Sequence, residues 1–120
     1  MSEIYDRGAK GEKALSDWLR ERGRDVRPSP KKAFDLIVAG VNAEVKSSHQ
    51  PYSALDFIGL TDNQFAAVEA GEDFIVFVVC NLCDPANLEV REIRSREFRA
   101  HPPRRESTYY WYRTALDKMG

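Results

Sequence analysis

A chain of 120 residues has the length of one compact domain, and 42% apolar residues, 11% of all residues being aromatic, suffice for a core without staples. The 31% charged residues are interspersed with apolar runs, which excludes global disorder. The net charge of −1 is segregated: residues 1–46 carry +2, residues 47–90 hold seven acids and no Lys or Arg, and residues 91–120 carry +4.

The longest apolar run, Phe74–Cys80, falls far short of the ~20 residues of a membrane helix. No secretory core follows Met1, and two cysteines cannot build a disulfide framework. A cytoplasmic protein with no membrane partner is expected. Two basic ends around an acidic middle can present one positive face or an acidic docking surface.

The elements follow in order. Gly8, Gly11, Leu15, Trp18, Leu19 and Arg22 recur at helical steps, predicting a helix over Glu3–Arg22 that stops at Gly23. An extended piece, Arg24–Pro28, precedes a turn at Ser29–Lys32. Phe34–Val38 and Ala43–Ser47 read as antiparallel strands joined by a Gly40-Val41 loop of type II′. Residues 48–60 read as irregular. Thr61 and Gln64 have the form of a capping box, opening a helix over Asp62–Ala70 that ends at Gly71. Phe74–Asn81 is apolar on both faces, as a central strand covered on both sides should be. After a turn at Asp84–Asn87 come a strand, Leu88–Ile93, a short helix, Ser95–Ala100, and a strand, Thr108–Arg113. The fold class is α/β: a mixed sheet flanked by helices.

Asp35 interrupts an apolar strand, and side-chain parity places it. In a hairpin with a two- or four-residue loop the position opposite Asp35 is even-numbered, so Asp35, Glu44 and Lys46 share a face. Phe34, Leu36 and Val38 then share the other face with Ala43 and Val45, ready to pack on a helix. Charges clustered beside an apolar face need a metal ion or an open cleft. Two carboxylates and a lysine suit hydrolysis of phosphodiester bonds by metal-activated water. Mg²⁺ (or Mn²⁺) takes oxygen ligands and acidifies water, and the amine orients or deprotonates that water.

The bare acid-x-Lys string turns up about once by chance in such a chain. Its context singles it out: Gly11-Glu12 on a helix, then Phe34-Asp35 in one strand, then Glu44-Val45-Lys46 in the next. In that order these residues resemble the PD-(D/E)xK nuclease superfamily, the restriction-endonuclease-like fold. The chain is similar to its small resolvase-type, Mrr-like and DUF3883-type domains, the last through Leu60-Thr61-Asp62-Asn63-Gln64 as well. The resemblance covers residues 8–81 and only loosely the last forty. Phe34 replaces the Pro of the family's name, and Val68 stands where a Gln-x-x-x-Tyr pattern from Gln64 would have Tyr.

The resemblance implies one nuclease-like domain over residues 1–120, with an α-β-β-β-α-β core, and a Mg-dependent endonuclease acting on DNA. Asp35, Glu44 and Glu12 would be metal ligands, and Lys46 would activate water. Arg20, Arg24, Arg27, Lys31 and Lys32 would meet backbone phosphates. Cutting both strands of a duplex asks for a homodimer, and a defence or DNA-repair system is the expected setting. A catalytically inactive nucleic-acid-binding or protein-interaction module on the same fold is the alternative.

Blander readings stand beside these. Glu44 and Lys46 can form a surface pair, and Glu12 can be a helix-surface acid. Gln64 is a cap before it is catalytic, and the arginines can line a solvated face. Cys80 and Cys83 have CxxC spacing but end a buried strand, so they read as structural. Loop residue His49 reads as exposed. Tyr109–Tyr112 can stack on bases or serve a sheet or interface.

Overall fold

The structure, a computed structural model, describes residues 3–31, 33–105 and 109–119. Among them lie helix α1 (Glu3–Glu21), strands β1 (Val26–Pro28), β2 (Leu36–Val38), β3 (Val41–Ser47) and β4 (Phe57–Leu60), and helix α2 (Asp62–Glu69). Then come β5 (Ile75–Cys80), β6 (Glu89–Arg94), α3 (Ser95–Ala100), β7 (Arg104–Arg105), β8 (Tyr109–Tyr112) and α4 (Arg113–Leu116). The main sheet has the order β1-β2-β3-β5-β6, and a small sheet the order β4-β8-β7.

Alternation sorts the core into two layers. Ala43 pairs with Ile75 and Glu44 with Val76 in the parallel β3–β5 ladder, so odd residues of both strands face one way and even residues the other. On the odd face Leu15 and Leu19 of α1 bury against Leu36, Val38, Ala43, Ile75, Phe77 and Val79. On the even face Val76, Val78 and Cys80 meet Ala67 and Val68 of α2, Phe98 of α3, and Ile58, Leu60 and Trp111 of the small sheet. Interior strand β5 lies between β3 and β6, and all six of its residues are buried.

Local signals set several boundaries. Gly23 ends α1 with φ +75°, and Gly71 follows α2 with φ +76°. Both bonds of the capping box are present at Thr61 and Gln64. Gly11 lets α1 lie close on β3, since a Cβ there would stand 2.8 Å from the Ser47 Cβ.

Several expectations need correction. Val38 pairs with Val41, so the hairpin loop is Ala39-Gly40 rather than Gly40-Val41, and both residues have positive φ (49° and 83°). That is the type I′ pattern, not II′. Phe34 and Asp35 precede β2 instead of lying within it: the Phe34 N–H bonds the Lys31 carbonyl in a turn. Alternation therefore does not reach Phe34, which packs in the even-side core with its ring 5.0 Å from that of Phe74. The stretch 48–60 is not wholly irregular, because β4 pairs with β8. Thr108 lies outside the described residues, and Arg113 begins α4 rather than ending a strand. No helix among the described residues is long and apolar enough to cross a membrane.

Candidate active site

The candidate site forms where β2 and β3 part. β3 runs for seven residues and β2 for three, and their pairing ends at Leu36 and Ala43. Asp35 occupies the branch point. Its N–H donates to the Ala43 carbonyl (3.0 Å), and its own carbonyl accepts from the Ser29 N–H (3.2 Å). Its Oδ2 accepts from the Val45 N–H (3.0 Å). The carboxylate thus takes the place of a strand carbonyl, which fixes the side chain in orientation.

Glu44 and Lys46 project from β3 on the even face, as parity requires. Lys46 Nζ lies 3.3 Å from Glu44 Oε2, and the Glu44 side chain is only 12% exposed. Burial first, and then a hydrogen bond with Asp35, pushes the Glu44 carboxyl up to about 7 from its ordinary 4.5. Lys46 and a hydrogen bond from Gln64 pull it the other way. Glu12 on α1 is also raised, by burial and then by the charge of Asp35.

Gln64 is the residue whose part sequence reasoning halved. It is buried (2% exposed), and its Oε1 accepts from the Thr61 N–H to close the capping box (3.1 Å). Its Nε2 donates to the Ala33 carbonyl (2.8 Å), two residues before Asp35, and its amide also donates to Glu44. A glutamine has an acceptor end and a donor end, so capping and contact with the acids are compatible. The capping-box spacing was the available signal; nothing in the sequence told where the other end reaches.

Among the described residues no group of three His, Cys, Asp or Glu side chains converges to hold an ion. Glu12 therefore feels Asp35 through space without joining Asp35 and Glu44 in a three-ligand cage. The two remaining carboxylates fit a magnesium ion, which keeps several waters and takes only one or two protein carboxylates. Their mutual hydrogen bond requires a proton or a cation between them.

A cleft of about 440 Å³ runs along the free edge of β3, with Gly8 of α1, Lys46, Ser48, Phe57 and Gly59 in its wall. The basic residues are placed unevenly. The Arg20 Nη2 donates to the Val26 carbonyl (3.1 Å), and Arg24 pairs with Glu92 at 2.6 Å. Arg27 pairs with Asp25 (2.9 Å), and Lys31 stands 3.9 Å from Glu72. Lys32 lies outside the described residues. Arg20 and Arg24 are thus engaged within the fold, whereas Arg27 and Lys31 remain largely exposed. Cys80 is buried, its thiol pushed up to about 11 by burial and then by Glu89. Cys83 is exposed, its Sγ 3.0 Å from His49 Nδ1.

No family model and no curated protein matches this sequence. Among solved structures the chain is similar to Hjc, a Holliday junction resolvase from the archaeal hyperthermophile Archaeoglobus fulgidus. The TM-score is 0.60 over 94% of this chain and 89% of that one, at 13% identity. At 94% of the chain, the likeness is longer than the stretch 8–81 that carried the sequence resemblance. This chain therefore has the restriction-endonuclease-like fold, the scaffold of the PD-(D/E)xK nuclease superfamily that its sequence resembles.

Proposed function

We propose that this protein is a magnesium-dependent endonuclease that hydrolyses DNA phosphodiester bonds. The observation that carries the reading is the hydrogen-bonded acid pair of exposed Asp35 and largely buried Glu44, with Lys46 3.3 Å from Glu44 and itself in the wall of the cleft. Such an acid pair is unfavourable in an ordinary fold and is accounted for by a divalent cation. The fold likeness to a resolvase agrees with it.

Asp35 and Glu44 would hold the ion through carboxylate oxygens. When bound, the ion polarises the phosphate and acidifies water. Val45 fixes Asp35 by its N–H, and Gln64 fixes Glu44 by its amide, so neither acid must reorganise on binding. Lys46 stands beside Glu44, where it orients the attacking water and offsets charge on the phosphate. Glu12 assists through its electrostatic interaction with Asp35. Cutting both strands takes two copies, for which the edge strand β6 is the candidate contact.

Cleavage of single-stranded, duplex and four-way-junction DNA with Mg²⁺ or Mn²⁺ tests the reading. Cleavage should require the ion and vanish in Asp35→Ala, Glu44→Ala and Lys46→Ala. Unaltered ion affinity by calorimetry in both acid variants would refute it.

A further inference from the structure

The outer face of the small sheet is aromatic where a solvent face should be polar. Phe57 pairs with Tyr112 and Gly59 with Tyr110 across β4 and β8, and Arg104 of β7 pairs with Tyr110. Alternation sends Ile58, Leu60 and Trp111 into the core, each at most 4% exposed. It sends Phe57, Tyr110 and Tyr112 outward. Phe57 is 48% exposed, the one exposed large hydrophobic side chain among the described residues. The three rings form one cluster: Phe57 meets Tyr110 edge to face at 4.9 Å, and Tyr112 lies 6.0 Å from Phe57 and 6.1 Å from Tyr110. The Arg104 guanidinium stands 5.5 Å from the Tyr112 ring. Gly59 makes room for this arrangement, since a Cβ there would come within 3.0 Å of the Tyr110 ring.

We propose that this face is a stacking platform for unpaired nucleobases of the strand whose phosphate lies at Asp35, Glu44 and Lys46, so that the substrate is DNA with splayed or single-stranded nucleotides. The inference rests on the nuclease reading for the phosphate and adds the base. Two observations select a nucleobase as occupant. First, Phe57 and Lys46 line the same cleft, so a strand with its phosphate at the lysine carries its neighbouring base to the ring. Second, the patch is small. Aromatic side chains offer about 150–250 Å² each, so one half-exposed ring and two less exposed ones present roughly 200–300 Å². A stable dimer needs about 800 Å² per partner, whereas one or two bases need no more than this patch. Aromatic faces accept any base, and Arg104 supplies the cation for the adjoining phosphate.

The test measures binding in EDTA, where cleavage cannot interfere, to a single-stranded oligonucleotide carrying 2-aminopurine and to a blunt duplex of the same sequence. Wild type should quench 2-aminopurine fluorescence and prefer the single strand. Phe57→Ala should weaken single-strand binding about 5- to 100-fold and abolish quenching, and Phe57→Trp should restore both. Tyr112→Leu is the second variant, expected to lose quenching in part. Single-strand binding unchanged in Phe57→Ala, or no DNA binding by wild type, overturns the platform. A wild-type dimer by light scattering that Phe57→Ala converts to monomer overturns it in favour of a contact between copies. Failure of the nuclease reading looks different: quenching persists while no DNA is cut with any divalent ion.

Discussion

Glu44 and Asp35 share a side-chain hydrogen bond although both are acids, and the Glu44 carboxyl is held near 7 as a result of burial and that bond. The folded chain keeps a proton that the unfolded chain releases near 4.5. Stability is therefore full below about pH 4.5 and falls as pH rises through 7, by about 1–3 kcal/mol from this group. Glu12 shifts in the same direction, while the lowered Glu89 acts at more acid pH. We expect the metal-free melting temperature to be lower at pH 8 than at pH 5, and Glu44→Gln to lose most of that slope. An equal slope in the variant would remove Glu44 as its source.

A divalent ion replaces that proton. Mg²⁺ or Mn²⁺ should raise the melting temperature at pH 8 and release protons on binding, measurable as a buffer-dependent heat. Lys46→Ala should bind the ion at least as well as wild type, because a like charge beside the site is gone, and yet not cleave. Loss of ion binding in Lys46→Ala would contradict the role given to the amine.

Gln64→Ala removes three hydrogen bonds at once, to the Thr61 N–H, the Ala33 carbonyl and Glu44. We expect a loss of about 1–3 kcal/mol in denaturant unfolding. Glu44 also loses the bond that holds its proton affinity down, so the pH midpoint of ion binding should move upward. A stability loss with an unmoved midpoint would leave Gln64 as a cap alone.

Gly11→Ala drives a methyl into Ser47, whose Oγ is buried without a partner among the described residues. Overpacking there should cost about 1–3 kcal/mol and displace α1 from β3. Ser47→Gly in the same chain should recover most of the loss, and additive effects of the two substitutions would show that they do not meet.

What the sequence determined by itself was local or periodic. The α1 spacing, the box at Thr61 and Gln64, the two-sided apolarity of β5 and the glycines at 23 and 71 each specify a hydrogen-bonding pattern within a few residues. Parity alone put Asp35, Glu44 and Lys46 together, because a one-residue slip in the hairpin would have turned them apart. Tertiary structure decided the rest. β4 has four residues and exists by pairing with β8, from Leu60↔Tyr109 to Phe57↔Tyr112, 49 to 55 positions apart, so no local signal announces it. Phe34 changed sides because the chain leaves the strand at Asp35, whose carboxylate rather than its carbonyl accepts from Val45. Glu12 feels the charge of Asp35 and Gln64 bonds Glu44 from helices that pack on opposite faces of the sheet, a relation no local signal announces. The aromatics of β8 read in sequence as base-stacking, sheet or interface residues alike. Only the position of the small sheet, one face on the core and the other in water, separates Trp111 from Tyr110 and Tyr112.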